Sequence, residues 1–202
     1  MELNITPESL EKALQNAGHK MFKSDKQDFN LNIVGIRSVK PTVNEFNDFM
    51  VVAWKFKGKW TLKKYVITTL AGVKWLQKPM NPKGCAILKE GRYEKTWAIA
   101  MHQNKYAALC QRKPVQVYRD NNKDSHYDMW ESSVQTGLFG INIHRASAFN
   151  VLSKVDLYSA GCQVFQNPKD FDEFMNICRN SQRIWGDYFT YTLISENNFQ
   201  NE

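Results

Sequence analysis

Cysteine is scarce in this chain, four among 202 residues, and no two of them form a CxxC pair. That spacing excludes paired-thiol zinc modules, and the low density excludes the disulfide framework of a small secreted domain. Cys85, Cys110, Cys162 and Cys178 therefore read as mostly reduced thiols. The four histidines show no HxH or HExxH spacing, so no metal is expected. There is no P-loop pattern and no GxGxxG, so no nucleotide cofactor is expected either. No apolar run approaches the ~20 residues of a membrane span. The first residues, MELNITPESLEKALQNAG, lack a basic segment followed by an apolar one. They do not read as a signal peptide, and synthesis in the cytoplasm is expected. Internal repeats and low-complexity tracts are missing.

What is present suits a globular β-rich domain. The chain is 43% apolar and 13% aromatic, enough for a bulky core and far from disorder. Its net charge of +7 favours polyanionic surroundings such as nucleic acid, an anionic membrane face or a bacterial wall. A charge of this size more often serves solubility. Lys55, Lys57, Lys59, Lys63 and Lys64 form no unbroken basic block, and the first three are spaced as one solvated strand face. Nucleic acid is accordingly not the expected partner.

Residues 6–18 predict a helix, with Thr6 as N-cap, Pro7 in the first turn, Leu10 and Leu14 on one face and Gly18 at the stop. From residue 29 short runs rich in β-branched and aromatic residues take over. They are FNLNIVGIRSV, DFMVVAWKF, KGKWTLKKYVITTL, TWAIAMHQ, YAALCQ, PVQVYRD, FGINIH, CQVF and YFTYTLI. Lys57-Gly58-Lys59 marks a hairpin turn, and residues 81–84 and 120–125 are loops. Asn167 and Pro168 open a second helix that runs to about Gly186, with Phe171, Phe174, Met175, Cys178 and Ile184 as its buried face. The expected fold is mainly β (α+β), an antiparallel β-sandwich or distorted barrel. Residues 1–27 form an N-terminal helical extension and residues 28–202 the main domain.

The stretch HRASAFNVLSKVDLYSAGCQV, residues 144–164, carries the candidate chemistry. A cysteine nucleophile needs a base, a group that fixes the base, and amide donors for an oxyanion. Cys162 follows Ala160 and Gly161, small residues that admit a carbonyl to the backbone. His144 ends a strand, a rigid place for a base. Ser159 offers a hydroxyl to orient the imidazole or the substrate. The small-residue turn beside a base is expected to lower the thiol pKa. Taken by type alone, a lone cysteine is usually core and a lone histidine usually surface or hydrogen-bonded core.

The spacing adds to this. His144, fourteen residues, then Ser159, Ala160, Gly161 and Cys162 resembles the signature of L,D-transpeptidase catalytic domains, cysteine acyltransferases of peptidoglycan peptide stems. VITTLAG at 66–72, KGCAILKEGRY at 83–93 and GLFGINIH at 137–144 are similar to that fold's approach to the histidine. The resemblance covers residues 30–195 in outline, and only the His-to-Cys stretch is specific. It extends more loosely to phage-borne proteins with such a domain, which would reach the wall from the virion or on lysis. The chain departs from the family at Arg145, where Gly or Ser is usual, and at Ala160, where His is usual. It also lacks the Arg or Asn usual two places after the cysteine, having Gln163 and Val164 there. The resemblance implies catalytic roles for Cys162, His144, Ser159 and Gly161. Arg145 and Gln163 are candidates to replace the missing carboxylate ligand. His102, where a strand gives way to a turn, is a candidate for the groove wall, with a structural or surface histidine as the more usual reading. An amine acceptor would give a cross-link, and water would give carboxypeptidase or endopeptidase activity. Two alternatives stand beside this: an inactive binding or virion-structural module on the same fold, and a basic nucleic-acid-binding β-protein.

Other residues have plainer expectations. His19 and His126 read as solvated, Cys85 as exposed in a loop, and Cys110 and Cys178 as core. Arg119 reads as part of a turn-stabilising ion pair. Trp54, Trp60, Trp75, Trp97 and Trp130 read as core, with a glycan-stacking face as the alternative.

Overall fold

The computed structural model describes residues 3–24 and 27–200. The outer residues of the expected extension and tail, and two residues of the polar stretch after the first helix, lie outside these. Helix α1 (Pro7–Asn16) begins where the capping signal placed it. Thr6 Oγ1 accepts from the Ser9 N–H, and Ser9 Oγ accepts from the Thr6 N–H. Strands β1 (Asn32–Arg37), β2 (Asp48–Phe56) and β3 (Lys59–Thr68) follow. Lys57 and Gly58 both have positive φ between β2 and β3, the backbone a tight hairpin needs. After α2 (Val73–Gln77) come β4 (Cys85–Leu88), β5 (Gly91–His102), β6 (Tyr106–Gln111) and β7 (Val115–Asp120). The chain closes with β8 (Gln135–Gly137), β9 (Ile143–Arg145), β10 (Gln163–Phe165), α3 (Pro168–Trp185) and β11 (Tyr188–Ser195).

Eight strands form a closed barrel in the order β1-β11-β5-β6-β9-β10-β3-β2, and β4, β7 and β8 form a separate small sheet. The barrel is mixed rather than antiparallel, because β1 pairs with β11 and β9 with β10 in parallel. Parallel neighbours need a crossover. The loop 146–162 supplies one between β9 and β10.

The main core joins Ile33, Met50, Val52, Ile67, Trp97, Leu109, Ile143 and Phe165 to Phe171, Phe174 and Cys178 of α3. Ile184 was expected on that helix face but is exposed, and Ile177 and Ser181 are buried instead. Helix α1 is packed on the barrel itself. Leu10, Ala13 and Leu14 cover Val34, Ile36, Val51 and Ala53, so β1 is buried on both faces. The expected polar tail contains a 3-10 turn, Glu196–Phe199, whose Asn198 carbonyl accepts from Asn16 Nδ2.

A buried polar relay ties the small sheet to the barrel. Arg37 Nε donates to Thr69 Oγ1 at 2.9 Å, which donates to Asp48 Oδ2 at 2.7 Å. Arg37 Nη2 also donates to the Leu88 carbonyl, at the end of β4, at 2.9 Å. This join fixes β4 beside the turn that holds Cys162.

Candidate active site

The β9–β10 pairing brings the histidine and the cysteine to one face. His144 lies opposite Val164, and Ile143 opposite Gln163. Side chains alternate along a strand. Ile143, Gln163 and Phe165 therefore point into the core and are fully buried. His144, Val164 and Cys162, two positions earlier, rise from the other face, where Val164 and Cys162 pack with Phe46, Ala146 and Val155.

Asn142 links the parts. Its backbone N–H donates to Cys162 Sγ at 3.4 Å. Its Oδ1 accepts from the Gln111 N–H at 2.9 Å, so its Nδ2 is turned to donate to His102 Nδ1 at 3.1 Å. The His102 ring stacks on His144 with centroids 4.2 Å apart. His144 Nδ1 lies 2.9 Å from the Arg145 carbonyl oxygen, which can only accept. The proton therefore sits on Nδ1, and Nε2 carries the lone pair. Tyr106 braces this arrangement, its hydroxyl donating to the same carbonyl at 3.1 Å. Among the described residues no hydrogen bond joins an imidazole to the thiol. The thiol instead donates to the Gly140 carbonyl at 3.4 Å.

Burial keeps both groups neutral. It pushes the His144 imidazolium down to about 3, helped by the neighbouring His102 and opposed by the Arg145 carbonyl. It pushes the Cys162 thiol up to about 11, partly offset by the Asn142 N–H. The lowered thiol pKa expected from the sequence is therefore reversed, because desolvation outweighs the donor.

Ser159 does not meet the imidazole. Its Oγ donates to the Cys162 carbonyl at 2.9 Å and accepts from the Gly161 N–H at 3.2 Å, closing the turn on itself. The Gly161 amide is thus occupied and unavailable to an oxyanion. The Cys162 amide makes no hydrogen bond among the described residues. Gly161 has φ +119°, and a Cβ there would collide with the Ala86 carbonyl oxygen of β4. Glycine is needed both for conformation and for this close approach.

The other candidates separate. Gln163 is fully buried, accepting from the Tyr191 hydroxyl at 2.8 Å and donating to the Gly161 carbonyl at 3.3 Å. It braces the turn from inside and cannot meet a substrate at the surface. Arg145 points toward α3, 3.4 Å from Asp172 and stacked over Tyr106, in a cavity that Cys162 does not line. His102 joins the site directly. Cys85 is buried, not exposed, and its thiol faces the Ala160 carbonyl at 3.7 Å. Cys110 and Cys178 are buried as expected. His126 is exposed and His19 half-buried. The tryptophans are dispersed, with Trp97 and Trp54 buried and Trp130 exposed, so they form no common face.

Asn142, Tyr106 and Arg119 join the site or its border without belonging to the His-to-Cys spacing. Asn142 had a signal: it is polar, in a strand-like run, two positions before His144 and hence on the same face. Tyr106 had none, since β6 meets β9 only in the fold. Arg119 makes no ion pair among the described residues and lines a groove beside Ala160. No group of three His, Cys, Asp or Glu among the described residues is placed to hold a metal. No described helix is long and apolar enough to cross a membrane. No family model, curated protein or solved structure matches this chain at a significant level.

Proposed function

We propose that this chain is a cysteine acyltransferase or hydrolase of L,D-transpeptidase type that acts on peptidoglycan stem peptides. The observation that carries the reading is the joint placement of Cys162 and His144 on one face of adjacent parallel strands, linked through Asn142 and His102. The His-to-Cys spacing supports it from the sequence. In this mechanism the thiol proton turns from the Gly140 carbonyl to His144 Nε2 as Sγ attacks the stem amide carbonyl. The Cys162 N–H, which has no acceptor among the described residues, stabilises the oxyanion. His144 then returns the proton to the departing amine, and the C–N bond breaks to leave a thioester. An amine acceptor or water attacks that thioester and regenerates the thiol. A neutral starting pair means that proton transfer accompanies attack rather than preceding it. A virion-borne or lysis-released protein would meet this substrate at the wall.

One observation favours a second reading, a binding module on the same fold. Among the described residues the thiol hydrogen-bonds only to backbone groups, and its burial opposes ionisation.

The test is single-turnover acylation with purified muropeptides, read by intact-protein mass spectrometry. A thioester adduct on Cys162 is expected. No adduct with any stem peptide or electrophilic lactam would move the weight to the binding module.

A further inference from the structure

The groove beside the Cys162 turn holds a cation, Arg119, that pairs with no carboxylate among the described residues. It measures about 300 Å³ and is lined by Trp75, Met80, Cys85, Arg119, Phe139 and Ala160, among others. Two of these are adjacent to the residues that hold the nucleophile. Ala160 precedes Gly161 and Cys162 in the turn. Phe139 precedes Gly140, whose carbonyl accepts from the thiol. The groove therefore reaches the turn that carries Cys162, at Ala160 and Phe139, without the thiol itself lining it.

Arg119 is fixed there from three sides. Its Nε donates to Gln135 Oε1 at 3.2 Å and its Nη1 to the Gly84 carbonyl at 3.1 Å. Its guanidinium stacks over the Phe139 ring at 4.7 Å. β7 register sets its backbone opposite Ala86, the residue against which Gly161 is packed. These neighbours orient the guanidinium but do not neutralise it, since no carboxylate lies within ion-pair distance among the described residues. Burial disfavours its charge. A half-buried guanidinium held in a fixed plane, in an open groove, suits an incoming carboxylate, which it binds through paired N–H donors.

We propose that this groove is the acyl-donor subsite and that Arg119 binds a carboxylate of the substrate. The ligand class that Arg119 selects is a short peptide carrying a free carboxylate. The assignment of the groove to the donor rests on Cys162 being the nucleophile, whereas the carboxylate preference does not.

Binding is therefore measured without chemistry, in the Cys162→Ala protein. The probes are N-acetyl-dialanine with a free C-terminal carboxylate and the same peptide as its carboxamide, each in L and D forms. Titration is followed by NMR, including the Arg119 Nε–H signal. We expect the carboxylate form of one enantiomer to bind at least ~10-fold more tightly than its amide and to shift that signal, as expected of a charge-assisted pair. Arg119→Met should erase the preference while amide binding persists, and Arg119→Lys should restore part of it. Equal affinity for the two forms, no binding of either, or an unchanged preference in Arg119→Met would each overturn the proposal. The first two need no Arg119 variant, so misfolding of Arg119→Met cannot mask the result. A clear preference without acylation of wild-type Cys162 by muropeptides would keep Arg119 as a carboxylate site and remove the enzymatic reading instead.

Discussion

His102 and His144 stack with their ring centroids 4.2 Å apart and their planes 19° from parallel. Two imidazolium ions cannot share that geometry cheaply, and burial disfavours even one. His144 accordingly titrates near 3 rather than near 6.5. Between these values the unfolded chain binds a proton that the native protein refuses. Stability from this group is therefore full above pH 6.5 and is lost as pH falls toward 3. His102, lowered by burial and by Lys105, acts in the same direction. The loss attributable to His144 is roughly 2 kcal/mol between pH 6.5 and 5, at 1.36 kcal/mol per unit. Urea unfolding of the wild type and of His144→Asn at both pH values checks this. The variant should lose clearly less on acidification. Equal losses in the two proteins would contradict the assignment.

The thiol gives a second prediction. Cys162 is half-buried, whereas Cys85, Cys110 and Cys178 are buried. Access therefore favours Cys162 even though its thiolate is scarce at neutral pH. Limited alkylation with iodoacetamide should modify Cys162 first, slowly at pH 7. The rate should climb about tenfold per pH unit toward pH 10, as the thiolate fraction of a group titrating near 11 does. Peptide mapping after short exposures reads both effects. A rate that levels off below pH 8 would show an activated thiolate and reverse the burial argument.

Much of the barrel was legible because its strands obey local rules. DFMVVAWKF and YAALCQ became β2 and β6 without change of boundary, and Thr6, Pro7, Asn167 and Pro168 opened both long helices. What escaped was set by partners distant in sequence. Strand direction leaves no mark on an apolar alternation, so the parallel β1–β11 and β9–β10 pairs were hidden. FGINIH shrank to a three-residue strand because residues 139–142 spend their polar groups on Gln111, Cys162 and His102. Within the site, Cys162 and His144 stood out by spacing. The environment that decides their protonation did not, since burial of both comes from loops and strands that meet only in the fold. Gln163 illustrates the same limit: its alternation with Cys162 turns it inward to Tyr191.

Arg145 gives the third prediction. Its guanidinium spans the Tyr106 and Phe171 rings and meets the exposed Asp172. It joins β9 to α3 rather than facing the thiol. Arg145→Ala should therefore cost about 1 kcal/mol of stability, the scale of a partly exposed cation–π contact. Acylation of Cys162 by a carboxylate-bearing stem peptide should stay within about twofold of wild type, since no binding contact is removed. Thermal unfolding and single-turnover rates separate the two effects. A large loss in acylation with unchanged stability would return Arg145 to the substrate-binding role expected from sequence.

The last prediction concerns the pair itself. If His144 takes the Cys162 proton during attack, the two residues act as a unit and their losses do not add. Cys162→Ala should abolish thioester formation outright. His144→Ala should lower the acylation rate by about 10²–10⁴-fold, the range for a lost general base. Turnover of a stem peptide by the double variant should equal that of Cys162→Ala alone. Asn142→Ala provides the control on geometry, because it frees His102 while leaving the backbone N–H on Sγ. It should lower the rate less than His144→Ala and leave the choice of labelled cysteine unchanged. The pH profile distinguishes a base from a brace. Wild-type acylation should fall only below about pH 4, where His144 finally protonates, whereas His144→Ala must use the free thiolate and should slow about tenfold per pH unit below pH 10. Wild-type levels of acylation in His144→Ala would remove the general base from the mechanism and leave Cys162 to act without it.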